Sequence, residues 1–291
     1  MKIDFLKNGD VWRELKKARD KFWATVFVSA MLVLFVWNSI FLNAPAFDKW
    51  ITATANTYLL GVFSTALAFL FGGAFVAVRI HAENKNRSLA LSVLRLVLDF
   101  LKSIPQIVWL LFGYVFLIYN FSDTPLRYAW LAFVLALVFA NEVHDEIIGR
   151  INFFKKSGFY EAMLAAGISE RRIILRDVLL LNSLPHLINR AIIVFASVVF
   201  LLCSADFIVS VGLSNELSLS SLPVTLGNVL ANISSKEDIL AAREVFANPL
   251  YLPKLFTANL QGVSAAFTLV FTLISAYKIS NGLVERKKLV K

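Results

Sequence analysis

Apolar residues in this chain gather into long runs, not into the two- or three-residue clusters that face a soluble core. Residues 22–42 carry no charge at all. A hydrocarbon layer about 30 Å thick takes roughly 20 helical residues to cross, and this run meets that length. Residues 57–78 form a second run, in which Gly61, Gly72 and Gly73 are expected to admit close helix approach. Residues 89–119 are too long for one simple span and are interrupted by Asp99, Lys102 and Pro105. They predict a helical lead-in over 89–102 and a span starting near Ile104, with Pro105 as a first-turn or kink proline. Runs at 128–143, 184–205 and 263–279 complete six predicted spans. The expected fold is all-α and polytopic.

Composition agrees: 58% of residues are apolar, the mean hydropathy is +0.69 and only 17% are charged, which is too little charge for an ordinary soluble domain. The net charge of +9 raises the question of nucleic acid, but no basic, aromatic-interleaved soluble face exists to bind it. The basic residues sit instead at the ends of the apolar runs, as in a chain oriented across a bilayer. Abundant Phe and Trp fit lipid-facing packing and interface anchoring. The single cysteine, Cys203, lies inside an apolar run, so it forms no intrachain disulfide and reads as a small packing residue. The charged segment 2–21 carries both signs and precedes a run without a small-residue cleavage site, so no cleavable signal peptide is expected.

Lys and Arg set the expected orientation. Residues 1–22, 79–102, 144–190 and 278–291 hold 24 of the 29, and these segments fall on one side if six spans alternate. The positive-inside rule places that side, and both termini, in the cytoplasm. The chain then divides into a cytoplasmic segment (1–21), a peripheral first span with its outer loop (22–55), a core (56–280) and a basic tail (281–291). The core contains a cytoplasmic loop at 144–183 and an outer segment at 210–259. A mild helical pattern runs over 222–233 of that outer segment, followed by charges at Lys236, Glu237, Asp238, Arg243 and Glu244. This segment suits contact with an extracytoplasmic partner or a packed cap equally.

The loop carries the most distinctive local chemistry. Residues 161–166 have high helix propensity, and Gly167 can supply the left-handed turn that ends a short helix. Ser169 is placed to cap a second helix, with Arg172 where a capping box would have an acid. Ala162, Ala165 and Ala166 permit close approach by a partner, while Glu161, Arg171, Arg172 and Arg176 supply a polar rim. Two short helices joined at a glycine would transmit the movement of a docked partner to the flanking spans; an ordinary amphipathic loop is the simpler alternative.

Glu161, Ala162 and Gly167 resemble the EAA signature of ATP-binding-cassette importer permeases. Two further blocks resemble the type I importer permeases, closest to their phosphonate branch. Residues 56–68 are similar to the threonine-led helix that opens the shared core. Residues 101–112 are similar to that branch's arginine-x-isoleucine-proline-x-x-valine-tryptophan stretch, with Lys102 in the arginine's place. The chain departs from the family where Leu179 and Leu180 stand for its usual Leu-Pro, and where residues 211–223 lack a glycine-rich turn.

The resemblance implies a type I permease core of about five spans in a bacterial inner membrane, with the first helix peripheral. It implies a non-catalytic subunit that binds no cofactor itself and couples to cassette ATPases holding ATP and Mg. The implied partners are those ATPases, a second permease copy and an extracytoplasmic binding protein. The solute stays open, from phosphonate- or phosphate-like to other small solutes. No GxxxxGK[ST] phosphate loop, GxSxG or HExxH pattern occurs, and His81, His144 and His186 have no metal-ligand spacing.

Polar residues at membrane depth are costly and therefore candidates for a pathway. Asp99, Asn141, Glu142, Ser204 and Asp206 qualify, each near a span end, where snorkelling is the plainer role; Pro105, Asn141, Glu142, Ser204 and Asp206 are the candidate gate and pathway residues. Asp206 suits an outer mouth and Glu142 an inner gate. Two rival functions stay open: a carrier or channel that needs no motor, and a non-transporting membrane scaffold with a permease fold.

Overall fold

The computed structural model describes residues 19–85, 87–121, 123–212, 224–231, 246–251 and 260–290. The predicted segment 1–21 lies almost wholly outside these residues, as do the charges at 236–244 of the outer segment. Every regular element among the described residues is helical. They are α1 (Arg19–Phe41), α2 (Ala44–Asn84), α3 (Ser88–Ser103), α4 (Gln106–Asn120), α5 (Thr124–Lys155), α6 (Gly158–Ala165) and α7 (Glu170–Arg172). After a π-helical stretch (Ile173–Asn182) come α8 (Leu184–Gly212), α9 (Leu226–Ala231) and α10 (Leu260–Val290), with a 3₁₀ turn at Pro249–Tyr251 before α10. Among the described residues five helices are long and apolar enough to cross a membrane, or six if the bent pair α3 and α4 forms one span.

Two elements differ from the sequence expectation. The loop expected between the first two spans is largely absent: α2 starts at Ala44, capped by the Asn43 side chain, which accepts from Ala46 N at 3.0 Å. Its 41 residues run about 60 Å, twice a hydrocarbon layer. The third expected span is a helix pair meeting at 90°. Ile104 is extended and Pro105 stands at the N-cap of α4, so the proline starts a helix and does not kink one. This is the geometry that a residue preceding proline favours.

Polar contacts show which helix ends meet. The start of α1 lies against the end of α10, where a Cβ on Gly282 would fall 2.6 Å from Asp20 N. Ser280 of α10 donates to Asn189 at the start of α8 at 2.6 Å. Asn84, ending α2, reaches Glu170 of the loop at 3.4 Å. These contacts define the loop end of the bundle. At the far end Asn38 of α1 accepts from Ser264 of α10 at 2.6 Å, and Trp50 of α2 donates to Thr268 at 3.2 Å.

The core is built on α2, α5 and α8. Leu131, Leu135, Phe139 and Val143 on α5 are buried with Val194, Val198 and Leu202 on α8. Gly72 lets α5 approach α2, since a Cβ there would come within 2.8 Å of Ala140 O and Val143 Cβ. Gly61 faces Phe195 of α8 as closely, but Gly73, grouped with these two in the sequence reading, meets nothing within 4 Å and provides no close contact. Buried hydroxyls of Thr57, Thr65, Thr268 and Thr272 donate to the carbonyl four residues back, so they cost the apolar core no unsatisfied donor.

A glycine also sets how closely α9 packs. A Cβ on Gly227 would sit 2.6 Å from both the Cα and the carbonyl oxygen of Cys203. Both are backbone atoms and have no rotamer through which to yield. Gly227→Val is therefore expected to lower the unfolding midpoint by the equivalent of about 1–3 kcal/mol, and Gly73→Ala, with open space around it, not to lower it. Denaturation in detergent followed by circular dichroism measures both; equal midpoints for the two variants would contradict the packing described.

Candidate functional site

Polar groups gather at three places, and the sequence-derived candidates divide among them. The first is the loop. In α6, Glu161, Ala162, Ala165 and Ala166 are exposed, while Tyr160 is buried and Met163 packs on the core. Gly167 turns the chain with φ 77°, the left-handed conformation that Gly adopts without a Cβ penalty. Ser169 holds the extended backbone of an N-cap, but its side chain makes no capping bond. The second helix expected after it is a three-residue α turn that opens into the π-helical stretch. Arg171, Arg172 and Arg176 are exposed, whereas Ile173, Ile174 and Val178 are buried against the bundle.

Glu170, which sequence reasoning passed over, holds this loop in place. Its carboxylate accepts from Tyr160 at 2.8 Å and pairs with Lys155 of α5 at 2.9 Å, and Asn84 of α2 reaches it at 3.4 Å. One side chain thus ties α2, α5 and α6 together. The hydrogen bond from Lys155, then that from Tyr160, hold the Glu170 carboxyl below its ordinary range. Burial and the same carboxylate push the Tyr160 phenol up.

The second place is a polar layer on the bundle side of the loop. Glu142 accepts from Gln106 at 3.0 Å and from Arg190 at 3.2 Å, and the same guanidinium reaches Glu146 at 3.3 Å. Glu142 and Glu146 are one turn apart on α5 and so share a face. Asn141 is buried and donates to Leu98 O at 3.3 Å. Lys102 pairs with Asp145 at 2.8 Å, and the His144 Nδ1 lies 3.0 Å from that carboxylate. Exposed Pro105 stands beside Gln106 at the edge of this layer, and exposed Asp99 lies on α3. Asn141, Glu142 and the start of α4 after Pro105 are therefore brought together.

The third place is at the far end. Asp206 is buried and accepts from Tyr114 of α4 and Thr225, the residue before α9. The same short segment is fixed twice more to α2: Asn56 donates to Val224 O at 2.9 Å, and Leu226 N donates to the Thr57 hydroxyl at 2.9 Å. Asp206 is thus enclosed under residues 224–231, with little contact with solvent. Ser204 is near it in sequence but donates to Phe200 O of its own helix. Arg190 and Asp206 are separated by about 24 Å along α8, so the candidate residues form two levels, not one site.

Sequence reasoning missed Glu170, Arg190, Gln106, Tyr114 and Thr225. The i, i+4 pair Glu142 and Glu146 with one uncancelled cation near the next span start was a signal for Arg190. Nothing in the local pattern marks Tyr114. Among the described residues no group of His, Cys, Asp and Glu is arranged to hold a metal ion. A groove of about 590 Å³ between α2 and α8, with Val62, Phe69, Leu187, Ile188 and Phe195 in its lining, is apolar and offers a polar solute nothing to bind.

No protein-family model matches the chain, and no curated protein matches it.

The Glu170 clamp gives a pH prediction. A carboxyl held below its unfolded value contributes stability that is complete above the ordinary glutamate range (about 4.3) and is lost as pH falls through the folded value. Amide exchange over residues 158–168, corrected for intrinsic rates, is expected to rise as pH falls below that range. Glu170→Gln should raise it several-fold at pH 7 and Glu161→Gln should not. Equal exchange in the two variants would show that Glu170 does not hold the loop.

Proposed function

We propose that this chain is the membrane permease subunit of an ATP-binding-cassette importer, driven by a separate ATPase that docks on residues 158–176. The observation that carries the proposal is the two-sided construction of α6. Its outward face is small and open, at Glu161, Ala162, Ala165 and Ala166. Its other side is bound to α2 and α5 through Tyr160 and Glu170. A partner that grips the outward face moves the bundle and not merely a loop.

The charge distribution supports a cytoplasmic loop end. Lys85, Arg87, Arg95, Lys156, Arg171 and Arg172 are exposed there, and Lys49 and Arg127 are the described cations of the far end. Both termini are then cytoplasmic, in a multi-pass protein of the bacterial inner membrane, and the loop faces ATP. Closure of the ATPase pair would press α6 inward. The Gln106–Glu142–Arg190 layer would act as the inner gate, and Asp206 with residues 224–231 as the outer closure. Such a subunit works as a pair with a second permease, two ATPases and an extracytoplasmic binding protein, and carries no nucleotide itself. Phosphonate-like and other small solutes stand equally as cargo.

One observation favours a non-transporting scaffold instead: residues 225–229 are buried at the far end and bonded to both α2 and α8. A scaffold would keep that closure permanently.

The deciding experiment is detergent co-purification of the tagged chain with any cassette ATPase encoded beside it. Wild type is expected to retain the ATPase, and Glu161→Lys/Ala165→Arg, at two exposed positions, to lose it at least tenfold with an unchanged unfolding midpoint. No ATPase on wild type, or equal retention by both, would overturn the proposal. ATPase activity that never responds to the binding protein would favour the scaffold.

A further inference from the structure

Helix α3 has three stripes where a soluble or a spanning helix has fewer. At 100° per residue Leu94, Leu98 and Leu101 form one stripe, and all are buried on the bundle. Leu89, Val93, Leu96 and Phe100 form a second, and these are exposed, Leu89 at 82% and Leu96 at 69%. Ser92, Arg95, Asp99 and Lys102 form a third, which is polar and exposed. A helix in water would not leave the second stripe bare, and a helix crossing lipid would not carry the third. The boundary between the two media satisfies both.

The position of α3 agrees with that boundary. It turns 90° from the apolar α4, so if α4 runs across the membrane, α3 lies along its surface. Its depth is set by Asn141, which bonds Leu98 O, and by Asp145, which pairs with Lys102. Both belong to the level of Glu142 and Arg190, where the apolar part of the bundle ends. Lys102 is occupied by Asp145, and Asp99 lies on the same polar stripe. The free positive charge at this edge is therefore that of Lys85, Arg87 and Arg95, which are exposed and make no ion pair among the described residues.

We propose that α3 is an in-plane membrane-surface helix that seats its Leu89–Phe100 stripe in the acyl layer and binds acidic phospholipid headgroups at Arg87 and Arg95. Cations beside an in-plane apolar stripe are the arrangement that favours anionic over zwitterionic lipid. The proposal rests on the bundle lying in a membrane and is independent of any ATPase. Lys102–Asp145 and Asn141–Leu98 tie this same helix to the level of the Glu142–Arg190 layer.

The test uses the full chain with Cys203→Ala, reconstituted in nanodiscs, with a bimane label on Leu96→Cys, Ser92→Cys or Leu32→Cys. Leu96 is expected to be quenched at least threefold more by lipid-chain nitroxide than by aqueous iodide, Ser92 the reverse, and Leu32 of α1 to follow Leu96. If Leu96 follows Ser92 while Leu32 is lipid-quenched, the in-plane helix is wrong. If Leu32 is also iodide-quenched, the membrane reading itself fails. Protection of Leu96 from both quenchers would mean that a protein covers the stripe, which also overturns the proposal. Energy transfer to the bimane on Ser92→Cys from pyrene-labelled phosphatidylglycerol is expected to exceed that from pyrene-labelled phosphatidylcholine at least threefold. Arg87→Gln/Arg95→Gln should bring the ratio near one, and a ratio near one in wild type would refute headgroup binding.

Discussion

Arg190 joins the helix that leads into the loop to the helix that leads out of it. Its guanidinium reaches two carboxylates on one face of α5, Glu142 and Glu146. All three side chains are about one-third exposed or less. Parting α5 from α8 at this point would strand partly buried charges, a greater loss than breaking an exposed ion pair. Gln106 adds α4 to the same joint. On the other side of the loop Glu170 binds α2, α5 and α6. The loop is therefore fixed at both of its roots, and under the proposed function a push on α6 is delivered to four helices together.

The far end is built on a different principle. Among the described residues Asp206 has hydroxyl donors and no cation, and its two partners, Tyr114 and Thr225, come to it from other parts of the chain. Between this level and Arg190, α8 turns Val194, Val198, Leu201 and Leu202 into the core. Along α8 there is thus one polar level towards each end with apolar residues between them. Glycine at 227 is what lets α9 reach this depth against the backbone of Cys203. Irregular backbone is tolerated at such depth when protein buries it and bonds its polar groups, as Thr57 and Asn56 do for residues 224–226.

Much of the architecture was legible because apolar run length is a direct consequence of bilayer thickness. Pro105 marked the break between α3 and α4, though its neighbours gave no hint of a 90° turn, which depends on how Leu94, Leu98 and Leu101 pack. The start of α2 was hidden because residues 43–56 mix Asp48, Lys49 and Thr with apolar residues, so a long helix looked like a span plus loop. Gly167 announced its turn, since its role is local. The π-helical stretch and the Glu170 clamp were not legible, for they depend on Lys155 and Asn84 arriving from other helices. Asp206 stood out as a charge at depth, but its role required Tyr114, 92 residues away.

Coupling to a cytoplasmic motor depends on which side of the membrane the loop end faces. In a Cys203→Ala background, Lys156→Cys at the loop end and Thr124→Cys at the far end are both exposed positions. Labelling spheroplasts with a membrane-impermeant maleimide measures the side directly. Thr124→Cys is expected to react in intact spheroplasts, and Lys156→Cys only after the membrane is opened. Reaction of Lys156→Cys in intact spheroplasts would put the loop outside, away from ATP, and would contradict coupling to a cytoplasmic motor.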